Sequence, residues 1–221
     1  MTADLAWRHP RPQGHQGRCI GRSDLRVDPR KARRLARRIH RHARRSAAPW
    51  VVCTSPLRRC RDVGRHLRRL GWRHHVDPLL LEADFGDWDG RAWSDIPRAD
   101  IDAWVSNFLD HAPGGGESLR QVLDRAARWQ PPVAGATVVG HAGWMLARLW
   151  LARHGPEHPP RQASQWPAPP PYAQAWSWSL EGGAVADPDA GAGADADAGA
   201  GADADAASDP GPPSSLARSS P

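Results

Sequence analysis

Short apolar runs and amphipathic segments follow one another along this chain. The runs at Asp4–His9, Pro49–Thr54 and Ala136–Gly140 are bounded by turn-forming or polar residues and are too short for helices. We therefore predict strands there. Two further short strands are predicted at His74–Asp77 and at Gln174–Leu180, where tryptophans alternate with small residues in the second.

The segments between these strands have the spacing of amphipathic helices. In Asp28–Arg45, apolar residues recur at helical intervals and arginines fill the opposite face. Helices are also predicted at Leu57–Leu70 and at Ala142–Arg153. The stretch Arg91–Trp129 is typical of two helices joined by the glycine turn Pro113–Gly116.

The order of these elements favours an α/β domain. Strands that alternate with helices form a mostly parallel sheet covered on both faces, which is a three-layer α/β/α sandwich. Ligands of such sheets bind beyond the carboxyl ends of the strands. We therefore look for chemistry first at Arg8–His9, Ser55–Arg59 and His141–Gly143.

The C-terminal segment 181–221 has a different composition. It consists almost entirely of Ala, Gly, Asp, Pro and Ser, and it repeats the octapeptide GAGADADA at 191–198 and 199–206. A segment with so few side chains to bury cannot offset the entropy lost on ordering. We predict one domain at 1–180, followed by a disordered tail at 181–221.

Charge is unevenly divided between these two parts. The tail holds eight of the 24 acidic residues and one of the 30 basic residues, which leaves 29 basic and 16 acidic residues in 1–180, a net charge of +13. A basic domain attracts nucleic acids, anionic lipids or phosphorylated small molecules, and composition does not choose among them. No stretch resembles a signal peptide or approaches the ~18 apolar residues of a membrane span. We expect a cytoplasmic protein without a membrane partner.

The cysteines give no sign of a disulfide framework or a zinc site. Cys19, Cys53 and Cys60 are three in number and form no CxxC pair. We expect reduced thiols, no bound metal and no cofactor.

The dipeptide Arg-His occurs five times, so its presence alone does not indicate which copy belongs to a functional site. Arg153–His154 is followed by glycine, but it closes a predicted helix. Arg8–His9 ends the predicted first strand, where a ligand site is expected. Its context therefore favours Arg8–His9.

Three other groups stand near strand ends. Arg59 lies on the first turn of a predicted helix, whose N-terminus attracts anions. Glu82 and Asp84 lie beside aromatic residues that can desolvate a carboxyl, and such a carboxyl can act as a general acid. The residues leave the choice between them open, and both are predicted to point the same way. His141 lies between glycines at a strand end.

Each of these groups also has a structural interpretation. Arginines on helices are usually solvated, an acidic segment is commonly a turn, and a lone buried histidine is commonly structural. Their order at successive strand ends is what indicates a site.

Together these pieces resemble the histidine phosphatase superfamily, which includes cofactor-dependent phosphoglycerate mutase. The matching pieces, in the order of the family, are Arg8–His9, Cys19–Asp24, Ser55–Cys60, Glu82–Gly90, Gly115–Ser118 and Gly140–Gly143. Within the superfamily, the runs IGRSD and FGDWDG and the compact length are most similar to α-ribazole phosphatase of cobalamin biosynthesis.

The resemblance implies a role for each matching residue. His9 takes the phosphoryl group and forms a phosphohistidine. Arg8, Arg59 and His141 hold the phosphate oxygens and balance their charge. Glu82 protonates the leaving oxygen and then activates water, and arginines in place of Mg²⁺ imply a metal-independent reaction.

The chain departs from the family pattern directly after the Arg-His pair. Relatives continue with Gly and, two residues later, Thr or Ser, where this chain has Pro10 and Pro12. Proline lacks the N–H group, and Pro12 also lacks the hydroxyl. We expect Arg11, or the backbone at Gly21 and Ser23, to supply the missing phosphate contacts.

The sequence thus predicts a phosphomonoesterase that acts on a phosphorylated small molecule, α-ribazole 5′-phosphate or its cobamide form, as a monomer or homodimer. Trp88, Trp93 and Trp104 are candidates for an apolar wall against a benzimidazole-like ring. The alternatives are a phosphatase of broader specificity, a catalytically weak relative and, least favoured, a nucleic-acid-binding module built on Arg30–Arg45. No nucleic-acid partner is expected, because packing on the sheet explains the apolar stripe of that helix.

Overall fold

A computed structural model describes residues 5–46 and 48–177. Within these residues, one sheet of five strands has the order β3-β2-β4-β1-β5. The first four strands in that order run parallel, and β5 is antiparallel to β1. The strands are β1 (Leu5–Arg8), β2 (Val51–Thr54), β3 (Arg73–Val76), β4 (Thr137–Gly140) and β5 (Ala175–Ser177). The mostly parallel sheet confirms the predicted α/β architecture.

Five α-helices in the described part of the chain cover the two faces of the sheet. They are α1 (Pro29–Ser46), α2 (Arg58–Arg68), α3 (Arg98–Ser106), α4 (Leu119–Arg128) and α5 (Ala142–His154). Alternate strand residues divide the core, because successive side chains of a strand point to opposite faces. Trp7, Val52 and Val139 pack with α1 and α2. Their neighbours Ala6, Cys53 and Val138 pack with α3, α4 and α5. The helices therefore form the two outer layers.

The predicted elements and the observed ones differ mainly at their ends. The strand predicted at Gln174–Leu180 is seen at Ala175–Ser177, and residues 178–180 lie outside the described residues. The predicted tail 181–221 also lies outside them. In the described chain, no helix has the length and apolar character needed to cross a bilayer.

The strand register brings three chain segments to one edge of the sheet. Arg8 pairs with Gly140 across β1 and β4, and Thr54 pairs with Val139 across β2 and β4. Since these strands are parallel, the residues that follow them emerge side by side. His9, Ser55 and His141 are those residues.

Candidate active site

A cavity of about 150 Å³ opens at this carboxyl edge. Its lining is partly polar and partly apolar. The polar residues include Arg8, His9, His15, Arg59, Glu82 and Glu117, and the apolar and aromatic residues include Ile20, Phe85, Trp93, Trp104, Phe108, Leu119, Val122, Trp166 and Tyr172. The structure therefore brings together four of the seven predicted site residues in the lining of one cavity.

His9 is buried, with 4% of its surface exposed. Its Nδ1 lies 2.8 Å from the carbonyl oxygen of Pro10. A carbonyl only accepts, so Nδ1 carries the proton and donates it, and the Nε2 atom of the neutral ring keeps its lone pair. Burial lowers the pKa of His9 well below its usual value, and the positive charges of Arg59 and Arg8 lower it further. A neutral imidazole with a free nitrogen can act as a nucleophile.

His141 is fully buried beside His9, and the two ring centroids are 5.1 Å apart. Arg59 Nε donates to His141 Nδ1 over 3.1 Å, and Ser55 Oγ lies 2.6 Å from Nε2. Because Nδ1 accepts, the proton of the neutral ring resides on Nε2. Burial, followed by the charge of Arg59, lowers the pKa of His141 well below its usual value. His141 is not among the residues that line the cavity.

Arg59 is 1% exposed, and hydrogen bonds within the protein hold its side chain in place. Its guanidinium donates to the carbonyl oxygens of Ser23 (2.6 Å) and Gly21 (2.5 Å), besides His141. These three bonds leave one N–H group on each terminal nitrogen of Arg59 for another acceptor. A guanidinium held in this way at a cavity wall is suited to contact an anion without rearrangement.

Gly21 and Ser23 are placed differently from the prediction. Their N–H groups, expected to face a phosphate, donate to the Asp89 carboxylate over 3.0 Å and 2.7 Å. Neither residue lines the cavity. The correction has a physical reason: a carboxylate from a distant loop already satisfies both donors, so the segment orients Arg59 instead of contacting a ligand.

Arg8 forms the second cationic wall through contacts that the sequence did not reveal. Its guanidinium donates to the Pro170 carbonyl over 2.7 Å and lies 3.7 Å above the centre of the Tyr172 ring. Tyr172 is also 5.5 Å from His9, ring centre to ring centre. It follows a proline-rich loop without periodicity. The sequence pattern nearest to Tyr172 is that of the predicted late strand β5. Because β5 pairs with β1, the loop that precedes β5 lies close to the end of β1.

Glu82 lies across the cavity at the N-terminus of α5 and is 8% exposed. Its carboxyl group accepts from the N–H groups of Gly143 (3.2 Å), Trp144 (3.3 Å) and Ala83 (3.0 Å). The free N–H groups of a helix terminus suit a carboxylate. These contacts orient the carboxyl group from the α5 side.

Asp84 does not share this orientation, so the prediction that both carboxyls point the same way is wrong. Asp84 bonds to Arg22 over 2.9 Å and to the N–H of Gly86, and it does not line the cavity. The segment does not pair as a strand. Instead, the Asp84 N–H donates to the Glu117 carboxylate, and the Asp84 carbonyl accepts from the Glu117 N–H, which directs the Asp84 side chain away from the cavity. In the described chain only Glu82 of the two reaches the cavity.

The apolar part of the cavity lining is largely aromatic. Trp93 and Trp104 line it as expected, whereas Trp88 is 4% exposed and packs edge-on against Trp104 in the core. Phe85, Phe108 and Trp166 complete the wall and were not singled out from the sequence. An aromatic wall favours a ligand with an apolar or planar group.

Two remaining predictions concern residues away from the cavity. His154 ends α5, is exposed and lies over Trp150 at 4.2 Å between ring centres, as expected for a surface helix end. The three cysteines are buried and unpaired, and burial raises the pKa of Cys60 to about 12.

Comparisons with known proteins agree with this fold. The family model described as the histidine phosphatase superfamily (branch 1) matches residues 5–168. Among curated proteins, no sequence matches significantly. A mycobacterial glucosyl-3-phosphoglycerate phosphatase has 23% identity and a TM-score of 0.62, covering 80% of this chain and 89% of that one. An α-ribazole phosphatase from Shigella flexneri has 21% identity and a TM-score of 0.60, covering 78% and 89%. At these identities the likeness concerns the fold.

Proposed function

This chain belongs to branch 1 of the histidine phosphatase superfamily, and we propose that it hydrolyses phosphomonoesters through a phosphohistidine formed on His9. One observation carries the proposal. His9 is buried and lines one cavity together with Arg8 and Arg59, and its Nδ1 donates to the Pro10 carbonyl, so that the Nε2 atom of the neutral ring keeps its lone pair. That is the arrangement a phosphoryl acceptor needs.

The proposed reaction has two steps. First, His9 Nε2 attacks phosphorus, the ester P–O bond breaks, and the leaving oxygen takes a proton from the Glu82 carboxyl. Second, water attacks the phosphohistidine, Glu82 takes back a proton from that water, and the P–N bond breaks to release phosphate. Arg8 and Arg59 stabilise the charge on the phosphoryl oxygens in both steps. His141, with its Nε2 proton directed at Ser55, holds Arg59 in place.

The reaction is proposed to be independent of metal ions. Two buried arginines already bring two positive charges to the phosphoryl site, which is the charge that Mg²⁺ brings in other phosphoryl-transfer enzymes. Activity should therefore persist when divalent cations are chelated.

The departures at Pro10 and Pro12 bear on the alternative of a catalytically weak relative. Pro10 keeps the carbonyl that His9 uses. Pro12 lines the cavity without any donor, so a phosphate contact is missing there. His15 is buried and lines the same cavity, and its imidazole is a candidate for a polar contact that Pro12 lacks. An active enzyme is thus favoured over a weak one.

The proposed substrate is α-ribazole 5′-phosphate or its cobamide form. The support is the aromatic wall, since a benzimidazole is planar and apolar and suits Trp93, Trp104 and Phe108 better than a sugar acid would. A phosphatase of broader specificity is the second candidate. We propose further that the protein acts in the cytoplasm, as a monomer or homodimer, on a small molecule and not on nucleic acid.

The test is an assay with EDTA present, on p-nitrophenyl phosphate, α-ribazole 5′-phosphate and a sugar-acid phosphate. The wild type should hydrolyse all three, with kcat/KM highest for α-ribazole 5′-phosphate. H9A should lose activity and acid-labile labelling by phosphate, and the matched variant H154A should keep both. Loss in H154A with retention in H9A would overturn the assignment of the nucleophile. Equal kcat/KM values would favour broad specificity.

A further inference from the structure

Arg125 on α4 is a buried cation outside the cavity, with 7% of its surface exposed. Its NH1 donates to the carbonyl oxygens of Leu79 (2.9 Å) and Leu81 (2.7 Å), and its NH2 donates to that of Glu82 (3.2 Å). Three carbonyls of one short segment thus converge on a single guanidinium. That segment carries the proposed general acid.

Glu117 completes this arrangement from the turn before α4. Its two carboxylate oxygens accept from Nε and NH2 of Arg125, both over 2.9 Å. It also accepts from the N–H of Asp84 over 3.1 Å, and its own N–H donates to the Asp84 carbonyl over 2.8 Å. The backbone is therefore held on both sides of Glu82, at 79–82 by Arg125 and at Asp84 by Glu117.

The start of α4 fixes these two residues relative to each other. Ser118 caps the helix, its backbone N–H donates to Gln121 over 2.8 Å, and its hydroxyl accepts from the Gln121 N–H. This reciprocal pair satisfies two helix-terminal donors and orders the first turn. Glu117 precedes the cap, and Arg125 lies two turns later on the buried face. The pair is thus a rigid clamp.

We propose that Arg125 and Glu117 are positioning residues that hold Glu82 within reach of the leaving oxygen, an inference that rests on the proposed function. Arg125 does not line the cavity, and its hydrogen bonds within the described residues go to the backbone near Glu82 and to the Glu117 carboxylate. Glu117 does line the cavity, but its carboxylate is engaged by Arg125 and Arg22. The carboxyl of Glu82 contacts α5, while its backbone is tied to α4. The two helices pack together and set the carboxyl position between them.

A purely structural ion pair is the competing explanation, and leaving-group dependence separates the two. A general acid matters most when the leaving oxygen is strongly basic. Ribose 5-phosphate releases such an alkoxide, whereas p-nitrophenyl phosphate releases a stable phenolate. Misplacing Glu82 should therefore slow the first substrate selectively, and a loss of stability alone should affect both substrates equally.

The experiment measures kcat for both substrates in wild type, R125K, E117Q and E82Q, with R120K as the matched control. Lysine keeps the charge but cannot form the guanidinium fork. R120K makes the same change at an exposed residue on the same helix that pairs with Asp110. We expect R125K and E117Q to lower kcat on ribose 5-phosphate by roughly 10- to 100-fold, with less than a threefold loss on p-nitrophenyl phosphate, and R120K to resemble wild type.

A double-mutant cycle tests whether Arg125 affects the rate through Glu82. If Arg125 acts through Glu82, then adding R125K to E82Q should cause no further loss on ribose 5-phosphate. Equal losses on both substrates, or a full additional loss in the E82Q background, would overturn the proposal. E117Q, which preserves side-chain size, gives the same test if R125K does not fold. A wild type inactive on both substrates would refute the proposed function instead.

Discussion

Gly143→Ala should impair catalysis without weakening the fold. Gly143 is the second residue of α5, and a Cβ built on it would lie 2.6 Å from Glu82 Oε1 and 3.4 Å from Glu82 Cδ. The backbone of Gly143 is helical, so alanine adopts it freely and contributes up to ~1 kcal/mol of helix propensity. The group that must move to relieve this contact is the carboxyl end of the flexible Glu82 side chain. Stability should stay level or rise.

The size of the effect follows from the distance. Relieving the contact to about 3.4 Å moves the Glu82 carboxyl by about 0.8 Å. Such a shift lengthens the bonds from the N–H groups of Gly143 and Trp144, which are 3.2 Å and 3.3 Å long. A misplacement of ~1 Å in an active site can cost about 100-fold in rate. We expect a loss of roughly 10- to 100-fold in kcat on ribose 5-phosphate and little loss on p-nitrophenyl phosphate.

The assay compares both substrates in wild type, G143A and G140A, with melting temperatures measured alongside. Gly140 is a matched control because a Cβ there would meet its nearest neighbours at 3.5 Å, an ordinary contact. G140A should leave the ratio of the two activities unchanged. If G143A keeps the wild-type ratio, or loses both activities with a large drop in melting temperature, Glu82 is not the acid or is not held as described.

Two other predictions concern stability. Because burial lowers the pKa of His9 and His141, the folded chain binds fewer protons than the unfolded chain below pH 6.5, so stability should fall as the pH drops. At pH 5 the free energy of unfolding falls by about 2 kcal/mol for each histidine that stays neutral in the folded chain. Urea unfolding at pH 7.5 and 5.0 measures this difference. Equal stability at the two pH values would contradict the two pKa shifts. Removal of residues 183–221 should leave melting temperature and activity nearly unchanged, whereas a drop of several degrees that fades with salt would show the acidic tail bound to the basic domain.

The sequence was most informative where chemistry follows regular structure. The strand before Arg8–His9 and the glycines around His141 are local signals, and parallel pairing then brings their ends together. The choice of His9 over His154 needed only the identity of the preceding element. For such residues, periodicity and sheet topology are sufficient.

The sequence was least informative where long-range loop contacts decide which group faces the cavity. No local sequence pattern indicates that the Asp89 carboxylate accepts hydrogen bonds from the N–H groups of Gly21 and Ser23. Nor does one indicate that Glu117 bonds the backbone of Asp84. Tyr172 comes from an irregular loop, whose path is set by tertiary contacts with Arg8. These positions depend on pairs of residues far apart in the chain, and hydrophobic periodicity does not report them.

The contact that fixes the proton of the proposed nucleophile is made by the main chain of Pro10. Every amino acid carries that carbonyl, so the identity of residue 10 places no requirement on the tautomer of His9. What the side chain there does restrict is backbone conformation, since proline fixes its own φ and reduces the number of conformations open to the unfolded chain. A search pattern that insists on glycine after the Arg-His pair would therefore discard chains in which the nucleophile is correctly protonated.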